Sequence, residues 1–554
     1  MITNRELTSI FRTLSELMIL HEDKEQLSKY FTGAAYRITR INEDVMLMSK
    51  QELQKYFTKV VISKIEELKK TGTIEILDEL IQLTPPGIFE MMRIKGLGGK
   101  KLEILWKKAG IDSMNALLDA CQKNEVAEIS GFGIKTQKNI ISAIEQIHQS
   151  ETSFHFATVA EEADKIVESL KRVFKSDKIS LCGAIRRKLN TVSNIEILSA
   201  VPLSKYKSMK SEIGTLIVQS FSKEEIKGQS IHEHPFTIYL TSPENFYSDL
   251  FQKTGNKNHV DKVMSLLKSK KSSWKSETEI YEAAHLPFIV PELREDVAEW
   301  NFKNKHLADS LITDQDIKGV VHNHTTYSDG IDTLENFVTA CIKKGFEYVV
   351  IADHSKNAFY AGGMKEEKVL KQHAEIDKLN KKIKPFKIFK SIECDILISG
   401  ELDFSNNFLK YFDLVIVSIH QLLKMDEKKA TDRLIKAIEN PFTAILGHMT
   451  GRQHLIRPGY PVNFKKVIDA CAANNVIIEI NANPYRLDMD WSHIPYALKK
   501  GVMISVNPDA HSIGEIDNIH WGVVSARKGG LTKEMTWNAL SLNEIKKWIR
   551  KKYS

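Results

Sequence analysis

The chain has 554 residues, a length that suits about three or four domains with apolar cores of their own. Its formal charge of +7 and pI near 8.8 are a mild basic excess, which suits a nucleic-acid partner. Five scattered cysteines without a CxxC pair, and the lack of any apolar run near the ~20 residues of a membrane span, argue against secreted and membrane-spanning classes and predict a cytoplasmic protein with no membrane partner. Residues 1–85 have apolar positions at helical spacing, as in LTSIFRTLSELMIL, and predict an N-terminal helical domain.

Two similar segments follow, and each has a Gly-x-Gly turn directly before a helix with lysines in its first turns. They are KGLGGKKLEILWKKAGI (95–111) and ISGFGIKTQKNIISAI (129–144). Glycines allow close approach of the backbone, and the N–H groups at a helix start favour a phosphate. One copy would more often simply join two helices, but the pair resembles tandem helix-hairpin-helix motifs, which implies sequence-independent DNA-backbone binding by residues 86–150. The candidate DNA-binding residues are Gly96, Gly98, Lys100, Lys101, Gly131, Gly133, Lys135 and Lys138.

Residues 151–290 carry three segments that define the next region: LCGAIRRKLNTVSNIEIL (181–198), FTIYLTSPENF (236–246) and TGN (254–256). In order and type they resemble the palm and thumb of a family X DNA polymerase, with its Gly-Ser loop, arginine pair and aspartate-bearing strands. The resemblance implies that the catalytic aspartate positions are Asn194, Glu196 and Thr237, and that Arg187 belongs to the arginine pair.

Two of those three positions carry no carboxylate in this chain. Two-metal nucleotidyl transfer needs several carboxylates, and an amide or a hydroxyl is a poor Mg²⁺ ligand. Ala184 and Lys188 also replace the serine and a glycine of the family pattern. These changes predict a polymerase-like core without normal polymerase activity and argue against Mg²⁺ in the palm. Glu233, in the loop sequence HEH, is more readily a solvated acid than a replacement ligand.

A proline-bearing charged connector predicts a linker at 291–318, and the last domain is expected at 319–554. Seven apolar runs alternate there with amphipathic segments, which predicts a parallel sheet of strand and helix units. A closed parallel barrel carries its chemistry at the carboxyl ends of its strands. The runs are KGVVHNH (318–324), YVVIADH (348–354), IFKSIECD (388–395), LVIVSIH (414–420), FTAILGH (442–448), VIIEIN (476–481) and VMISVNPDAH (502–511).

Histidines and acids lie at or just past the ends of these runs. Buried imidazoles and carboxylates need a partner or a cation, and their repetition at six strand ends favours a multinuclear metal site over an isolated HxH pair. We expect Glu393 to bridge two metals, and imidazole with carboxylate suits Mn²⁺, Zn²⁺ and Fe²⁺ alike. Arg452 and Arg486 follow two of the strands and either hold phosphate oxygens or are solvated surface arginines. The candidate ligands are His322, His324, Asp329, His354, Glu393, His420, His448, Asp509 and His511.

The motifs HNHTTYSDG, ADHS, IECDIL, SIH, GHMTGR, EINANP and NPDAHS resemble those of the PHP domain, the polymerase and histidinol phosphatase family, as it is fused to bacterial family X DNA polymerases. The resemblance implies a distorted seven-stranded β/α barrel in which those nine residues hold two or three divalent ions. It also implies metal-dependent phosphoester hydrolysis, with 3′ to 5′ exonuclease and 3′-phosphate removal in the polymerase-linked branch. Glu393, Asp509 and Arg452 are the expected catalytic residues. Met449 stands where the family usually has proline.

Three functions remain open from the sequence. The favoured one is a metal-dependent phosphoesterase that acts on DNA 3′ ends and is carried on a non-catalytic palm. The second is an active, modified DNA polymerase with an accessory exonuclease. The third is a DNA-binding scaffold whose barrel acts on small phosphomonoesters such as histidinol phosphate. Protein partners are not predicted.

Overall fold

The computed structural model describes residues 2–21, 25–39, 41, 43–208, 216–267, 273–301 and 307–554. The chain forms two compact units, Met1–Glu151 and Thr152–Ser554. No helix within the described residues is long and apolar enough to cross a membrane.

The first unit is helical, as the apolar spacing of its sequence predicts. Its first helix begins with a capping box between Thr3 and Glu6, and it buries Leu7, Phe11 and Leu14 at intervals of three to four residues. The helices are α1 (Asn4–Leu20), α2 (Glu25–Ile38), α3 (Lys50–Leu53), α4 (Lys59–Thr71), α5 (Glu75–Gln82), α6 (Pro86–Met92), α7 (Gly99–Glu103), α8 (Met114–Gln122), α9 (Glu125–Glu128) and α10 (Gly133–Thr152).

The second unit begins with a five-stranded mixed sheet of spatial order β2-β4-β7-β6-β5, in which β4 and β7 are parallel. A short antiparallel pair, β1 (Phe154–His155) with β3 (Thr191–Val192), lies outside that sheet. The sheet strands are β2 (Ile179–Leu181), β4 (Ile195–Ser199), β5 (Leu216–Phe221), β6 (Glu225–Ser230) and β7 (Pro235–Leu240). The helices are α11 (Phe156–Phe174), α12 (Gly183–Arg186), α13 (Leu203–Ser208), α14 (Phe246–Thr254), α15 (Lys257–Ser265), α16 (Glu277–Ala283) and α17 (Leu307–Ser310).

Parallel strands alternate with helices in the rest of this unit. The strands are β8 (Gly319–Asn323), β9 (Tyr348–Ile351), β10 (Lys387–Lys390), β11 (Glu393–Asp395), β12 (Val415–Ser418), β13 (Thr443–Leu446), β14 (Ile477–Asn481) and β15 (Ile504–Asn507). The helices are α18 (Leu334–Lys343), α19 (Glu366–Lys382), α20 (Asn406–Leu409), α21 (Glu427–Ile438), α22 (Phe464–Ala473), α23 (Ile494–Lys499), α24 (Ile519–Lys528) and α25 (Leu542–Lys552).

The parallel strands close into a barrel. They form two sheets, β8-β9-β10 and β11 to β15, and all their pairings are parallel. Single bridges join the sheets at His354–Glu393 and at Asn323–Ala510. Because β10 and β11 are one strand interrupted at 391–392, the barrel has seven strands and is distorted, as predicted. Its almost entirely apolar strands are buried on both faces, which is typical of a parallel sheet covered by helices.

The described part of the predicted linker is packed against both of its neighbours. Arg294 is fully buried and donates to Glu277 of α16, while Lys528 of α24 donates to Glu295 and to the carbonyls of Arg187 and Glu292, at 2.8, 2.8 and 3.2 Å. Residues 302–306 of the linker lie outside the described residues. The stretch is therefore a packed junction, and its boundaries at 291 and 318 stay predictions.

Candidate metal centre and nucleic-acid interface

The barrel brings all nine predicted ligands together at the carboxyl end of its strands. Glu393, at the start of β11, lies at the centre of the cluster. Its carboxylate is 3.2 Å from His322 Nε2, 2.9 Å from His354 Nδ1, 3.1 Å from His420 Nε2 and 2.9 Å from His448 Nε2. A carboxylate with four imidazole neighbours from four other strand ends has the geometry of a bridging ligand.

The remaining ligands surround this centre. Their donor atoms form three groups, and within each group all the atoms lie within 4.8 Å of one another. Asp509 Oδ1 is 3.0 Å from His324 Nε2, and Asp329 Oδ1 is 3.4 Å from His511 Nε2. Since each group contains imidazole and carboxylate, the arrangement offers up to three adjoining cation positions of the donor type that first-row divalent metals prefer. The groups are His324, Asp329, His354 and His511; His322, His324 and Asp509; and His354, Glu393 and His420.

Several donor atoms of the cluster are buried without a hydrogen-bond partner among the described residues. A buried polar atom without a hydrogen-bond partner lowers the stability of the folded protein by about 1–3 kcal/mol. Several such atoms in one cluster therefore indicate that another group binds there. All of these atoms except His448 Nδ1, whose ring turns Nε2 toward Glu393, face other groups of the cluster. Neutral imidazole nitrogens and ionised carboxylate oxygens have lone pairs that a cation can accept, and the donor set therefore fits divalent metal ions. The atoms are His322 Nε2, His324 Nδ1, His354 Nδ1, His448 Nδ1 and both carboxylate oxygens of Glu393.

The charges of the cluster keep its carboxylates ionised. Burial opposes ionisation of Glu393, but His420, His322 and His354 outweigh it and hold the pKa of Glu393 well below its ordinary value. Asp509 is buried too, and His322 and His324 likewise hold its pKa well below the ordinary value. Metal ligation requires the deprotonated carboxylate, which both residues provide.

A second layer of acids orients the histidines, and the sequence reasoning assigned it no role. His322 Nδ1 donates to Glu479 Oε2 at 2.6 Å, and His420 Nδ1 donates to Asp395, so that each ring directs Nε2 toward Glu393. Asp353 accepts from Thr325 and Ser328 and thereby holds the loop that carries Asp329. One signal was present in the sequence, because a glutamate inside the apolar run VIIEIN cannot be buried without partners.

Two ligands sit on backbone that few residues adopt. His322 has φ of 65° and Asp509 has φ of 51°, in the left-handed region that costs a non-glycine residue about 1–2 kcal/mol. Both residues are at strand ends, where this conformation turns the side chain toward the barrel axis. Strained backbone of this kind concentrates at functional sites.

The two predicted arginines have different surroundings. Arg486 Nε lies 3.8 Å from Asp509 Oδ2, at the edge of the ligand cluster. All three guanidinium nitrogens of Arg452 donate within the protein, to the carbonyl of Arg486 at 3.2 Å, to Asp490 at 2.8 Å and to the carbonyl of Leu487. Arg452 thus holds the segment on which Arg486 is carried.

The palm positions are also brought together, but their side chains are engaged with one another. Glu196 and Thr237 are paired across β4 and β7, and Asn194 donates to the Thr237 hydroxyl at 2.9 Å. The Glu196 carboxylate accepts from the backbone N–H of Ala184 at 3.0 Å, at the start of α12. A side chain at Gly183 would collide with this carboxylate. Glu196 therefore occupies the turn that begins α12. Glu233 is exposed in the turn before β7.

The arginine pair of the palm is committed to structural ion pairs. Arg186 donates to both carboxylate oxygens of Glu277, at 3.0 and 2.6 Å. Arg187 donates to Glu295 at 2.9 Å and to the carbonyl of Thr254 at 2.7 Å. These guanidinium groups connect the palm to the junction described above.

The two Gly-x-Gly segments form equivalent turns in the first unit. Gly96 and Gly131 have φ of 99° and 92°, a conformation open to glycine and costly for other residues. Gly98 precedes α7, and Gly133 begins α10. Lys100, Lys135 and Lys138 are exposed, and Lys101 is half-buried with its ammonium group 5.7 Å from the Phe132 ring centre. The lysines lie on the first turns of these helices, beside the predicted phosphate-facing N–H groups.

Comparisons with known proteins agree with this geometry. The family model of the PHP domain matches residues 321–483, and that of the SAM-like helix-hairpin-helix tandem matches residues 88–146. The barrel and its strand-end ligands thus define a protein of the PHP class that carries tandem helix-hairpin-helix motifs.

Similarity to a curated relative extends over the whole chain. The DNA polymerase/3′-5′ exonuclease PolX of Bacillus subtilis (strain 168) is 30% identical over 567 aligned residues, which cover 99% of each chain. This chain belongs to the PolX family of bacterial family X DNA polymerases with a C-terminal PHP domain. Probable phosphatases of Thermoanaerobacter sp. (strain X514) and Caldanaerobacter subterraneus are 26% and 25% identical over 42% of this chain, and cover 94% and 90% of their own lengths.

Proposed function

We propose that this protein hydrolyses phosphodiester bonds at DNA 3′ ends in its barrel, as a metal-dependent 3′ to 5′ exonuclease. The observation that carries the proposal is the convergence of nine ligand-type side chains, several of whose buried donor atoms have no other partner within the described structure. The printed name of the B. subtilis relative, which includes 3′-5′ exonuclease, supports it.

The nine ligands would hold two or three divalent ions, Mn²⁺, Zn²⁺ or Fe²⁺, with Glu393 as the expected bridging residue. Bound metals of this kind lower the pKa of water and stabilise charge on phosphoryl oxygens. The residues keep the donor atoms directed inward through Glu479 and Asp395, and they require no side-chain nucleophile.

Arg486 is the residue placed to hold a substrate phosphate. Its guanidinium group lies at the edge of the cluster, and guanidinium forks match the oxygens of a phosphate. The contacts of Arg452 support a positioning role, since it grips the backbone of Arg486 and Leu487. The sequence left phosphate binding open for both Arg452 and Arg486 and named Arg452 as catalytic, and direct contact between Arg452 and substrate stays a prediction.

DNA would be held by the helix-hairpin-helix pair through its backbone phosphates. The turns at Gly96 and Gly131 expose helix N-termini beside lysines, which suits phosphate contacts that are independent of sequence. The family membership and the net charge of +7 support a DNA substrate over a small molecule.

The palm would contribute structure and not nucleotide addition. Asn194 and Thr237 bond each other, Glu196 fills the turn before α12, and both arginines are paired with buried acids. A single carboxylate cannot anchor two cations, so no template-dependent synthesis is expected. The printed name of the relative includes DNA polymerase, whereas this chain carries Asn194 and Thr237 at two of the three positions that the family resemblance assigns to catalytic aspartates.

A small-molecule phosphatase is the second candidate, because the relatives that match the barrel alone are named probable phosphatases. The two functions are separated by offering the metal-loaded full-length protein a 5′-labelled 3′-recessed duplex and, in parallel, histidinol phosphate. We expect stepwise shortening of the labelled strand, abolished by a chelator and restored by Mn²⁺, with little release of phosphate from histidinol phosphate. Efficient hydrolysis of histidinol phosphate with an intact oligonucleotide would overturn the proposal.

A further inference from the structure

The segment that follows β9 is a rigid turn beside the metal ligands. The backbone N–H of Met364 donates to the carbonyl of His354 at 2.8 Å, which closes the turn on a ligand. Asn357 donates to Asp395 and Asp403, both at 2.7 Å, and its carbonyl accepts from Gln421 at 2.6 Å. The turn is thus anchored to the same Asp395 that orients His420.

Two aromatic side chains project from this rigid turn. Phe359 is 76% exposed and Tyr360 is 60% exposed, and their ring centres lie 6.0 Å apart at 80°. Gly362, which ends the turn, lies against Ser328, the neighbour of the ligand Asp329. The aromatic pair is therefore at the mouth of the ligand cluster, and its exposure contributes nothing to the apolar core.

A third exposed aromatic residue and two arginines occupy the same mouth. Tyr485 is 48% exposed and precedes Arg486, and its ring packs edge-on against His155 at 4.6 Å. Arg457 belongs to the neighbouring loop and donates to the carbonyl of Gly451 at 3.1 Å. Burial and the charge of Arg486 lower the pKa of Arg457, while Tyr360 opposes that shift.

Aromatic faces and guanidinium groups around a hydrolytic centre are the elements of a nucleotide-binding surface. Bases stack on aromatic rings irrespective of sequence, and guanidinium groups pair with the linking phosphates. A small phosphomonoester substrate would leave the rings unused.

We propose that Phe359, with Tyr360 beside it, stacks on the base of the terminal nucleotide whose phosphodiester bond is cleaved, while Arg457 and Arg486 hold the adjoining phosphates. This inference rests on the proposed exonuclease function and extends it. It assigns Phe359 as the residue that makes the enzyme select a nucleotide with a base.

The test combines one change in the protein with one change in the DNA substrate, and it uses the full-length, metal-loaded protein. Phe359→Ala and wild type are each assayed on a single-stranded oligonucleotide that ends in thymidine and on the same oligonucleotide with an abasic terminal residue. Phe359→Trp serves as the rescue variant. Tyr411→Ala, which removes an exposed aromatic side chain near the amino end of β12, is the matched control. Metal content and melting temperature are measured for every variant.

For wild type we expect kcat/KM to fall about tenfold when the terminal base is removed, because base–aromatic stacking contributes about 1–3 kcal/mol. For Phe359→Ala, kcat/KM on the normal oligonucleotide should be lower than that of wild type by about the same factor. Removal of the terminal base should then lower kcat/KM of this variant no further. Phe359→Trp should restore both kcat/KM on the normal oligonucleotide and its dependence on the terminal base, and Tyr411→Ala should match wild type.

Three outcomes would overturn the assignment. Equal rates for Phe359→Ala and wild type, or a loss in Phe359→Ala that is the same with and without the terminal base, would remove the stacking role alone. If wild type shortens neither oligonucleotide, the proposed exonuclease function fails and the stacking role fails with it.

Discussion

His322 is held between two buried carboxylates, one on each side of its ring. Its Nδ1 atom is 2.6 Å from Glu479 and its Nε2 atom is 3.2 Å from Glu393, so that the outer acid fixes the tautomer and the inner acid marks the metal position. Burial opposes protonation, but Glu479, Glu393 and Asp509 outweigh it and raise the pKa of this imidazole well above its ordinary value. The three carboxylates around His322 thus favour a positive charge at this position.

Replacement of His322 and His324 together by Ala should reduce hydrolysis of a DNA 3′ end by at least about 100-fold, since loss of even an outer-layer partner costs 10–100-fold. Bound metal, measured by mass spectrometry, should fall in parallel, and DNA affinity in a fluorescence anisotropy assay should not change. The control is His520→Ala, which alters an exposed histidine that is paired with Asp314 outside the cluster. Wild-type activity that survives complete metal removal would contradict the assignment.

The residues of the proposed sites lie where helices begin and strands end. The carboxyl ends of the parallel strands carry the proposed metal ligands, and the starts of α7 and α10 carry the predicted phosphate contacts. At both positions, backbone or side-chain groups have hydrogen-bonding capacity that the helix or strand itself does not use. The palm illustrates the opposite case, since the start of α12 is filled by the Glu196 carboxylate.

If the two hairpins bind DNA phosphates, affinity should fall linearly with the logarithm of salt concentration. Replacement of Lys100 and Lys135 by Ala should weaken binding and reduce that slope by about two at most, because each phosphate contact releases about one counterion. Lys381→Ala with Lys384→Ala, two exposed lysines of the barrel unit, should leave the slope unchanged. Binding that is independent of salt would argue against the hairpin assignment.

At the scale of the whole molecule, charged side chains hold the palm and the barrel together within the second unit. Arg186 and Arg294 converge on Glu277, while Arg187 and Lys528 converge on Glu295. Burial opposes the charge on Glu277, but the two arginines outweigh it and hold its pKa below the ordinary value of 4.5. Arg187, which the family resemblance assigns to the arginine pair of the palm, is thus one of the residues that stabilise this junction.

The depressed pKa of Glu277 predicts a pH-dependent contribution to stability. The contribution is fully present above pH 4.5, the ordinary value, and is lost as the pH falls through the lower value of the folded state. Glu277→Gln should destabilise the second unit by about 3 kcal/mol at pH 7, because it leaves buried arginines uncompensated. In urea unfolding the difference from wild type should shrink below pH 4.5. Glu282→Gln, at an exposed position of α16, is the control, and a difference that persists undiminished at low pH would contradict the account.

The sequence could predict much of the barrel because each strand is a separate apolar run, and six of the seven runs end in or next to a ligand-type residue. It could also predict the two hairpins, since Gly96 and Gly131 need glycine for their backbone conformation. The outer acids were missed because Glu479 and Asp395 acquire meaning only when non-local strands bring them against His322 and His420. The junction was read as a linker for the same reason, as the partners of Arg294 and Lys528 are distant in the chain.

The central claim is that the barrel, and not the palm, carries out the DNA chemistry of this protein. It is tested most directly by one reaction that contains a 5′-labelled primer on a template, all four dNTPs and Mn²⁺. The reaction is run with wild type and with the His322→Ala/His324→Ala variant, whose barrel cannot erase a product. We expect a shortened primer with wild type and an unchanged primer with the variant. Extension of the primer by the variant would contradict the central claim and would show that the palm is an active polymerase.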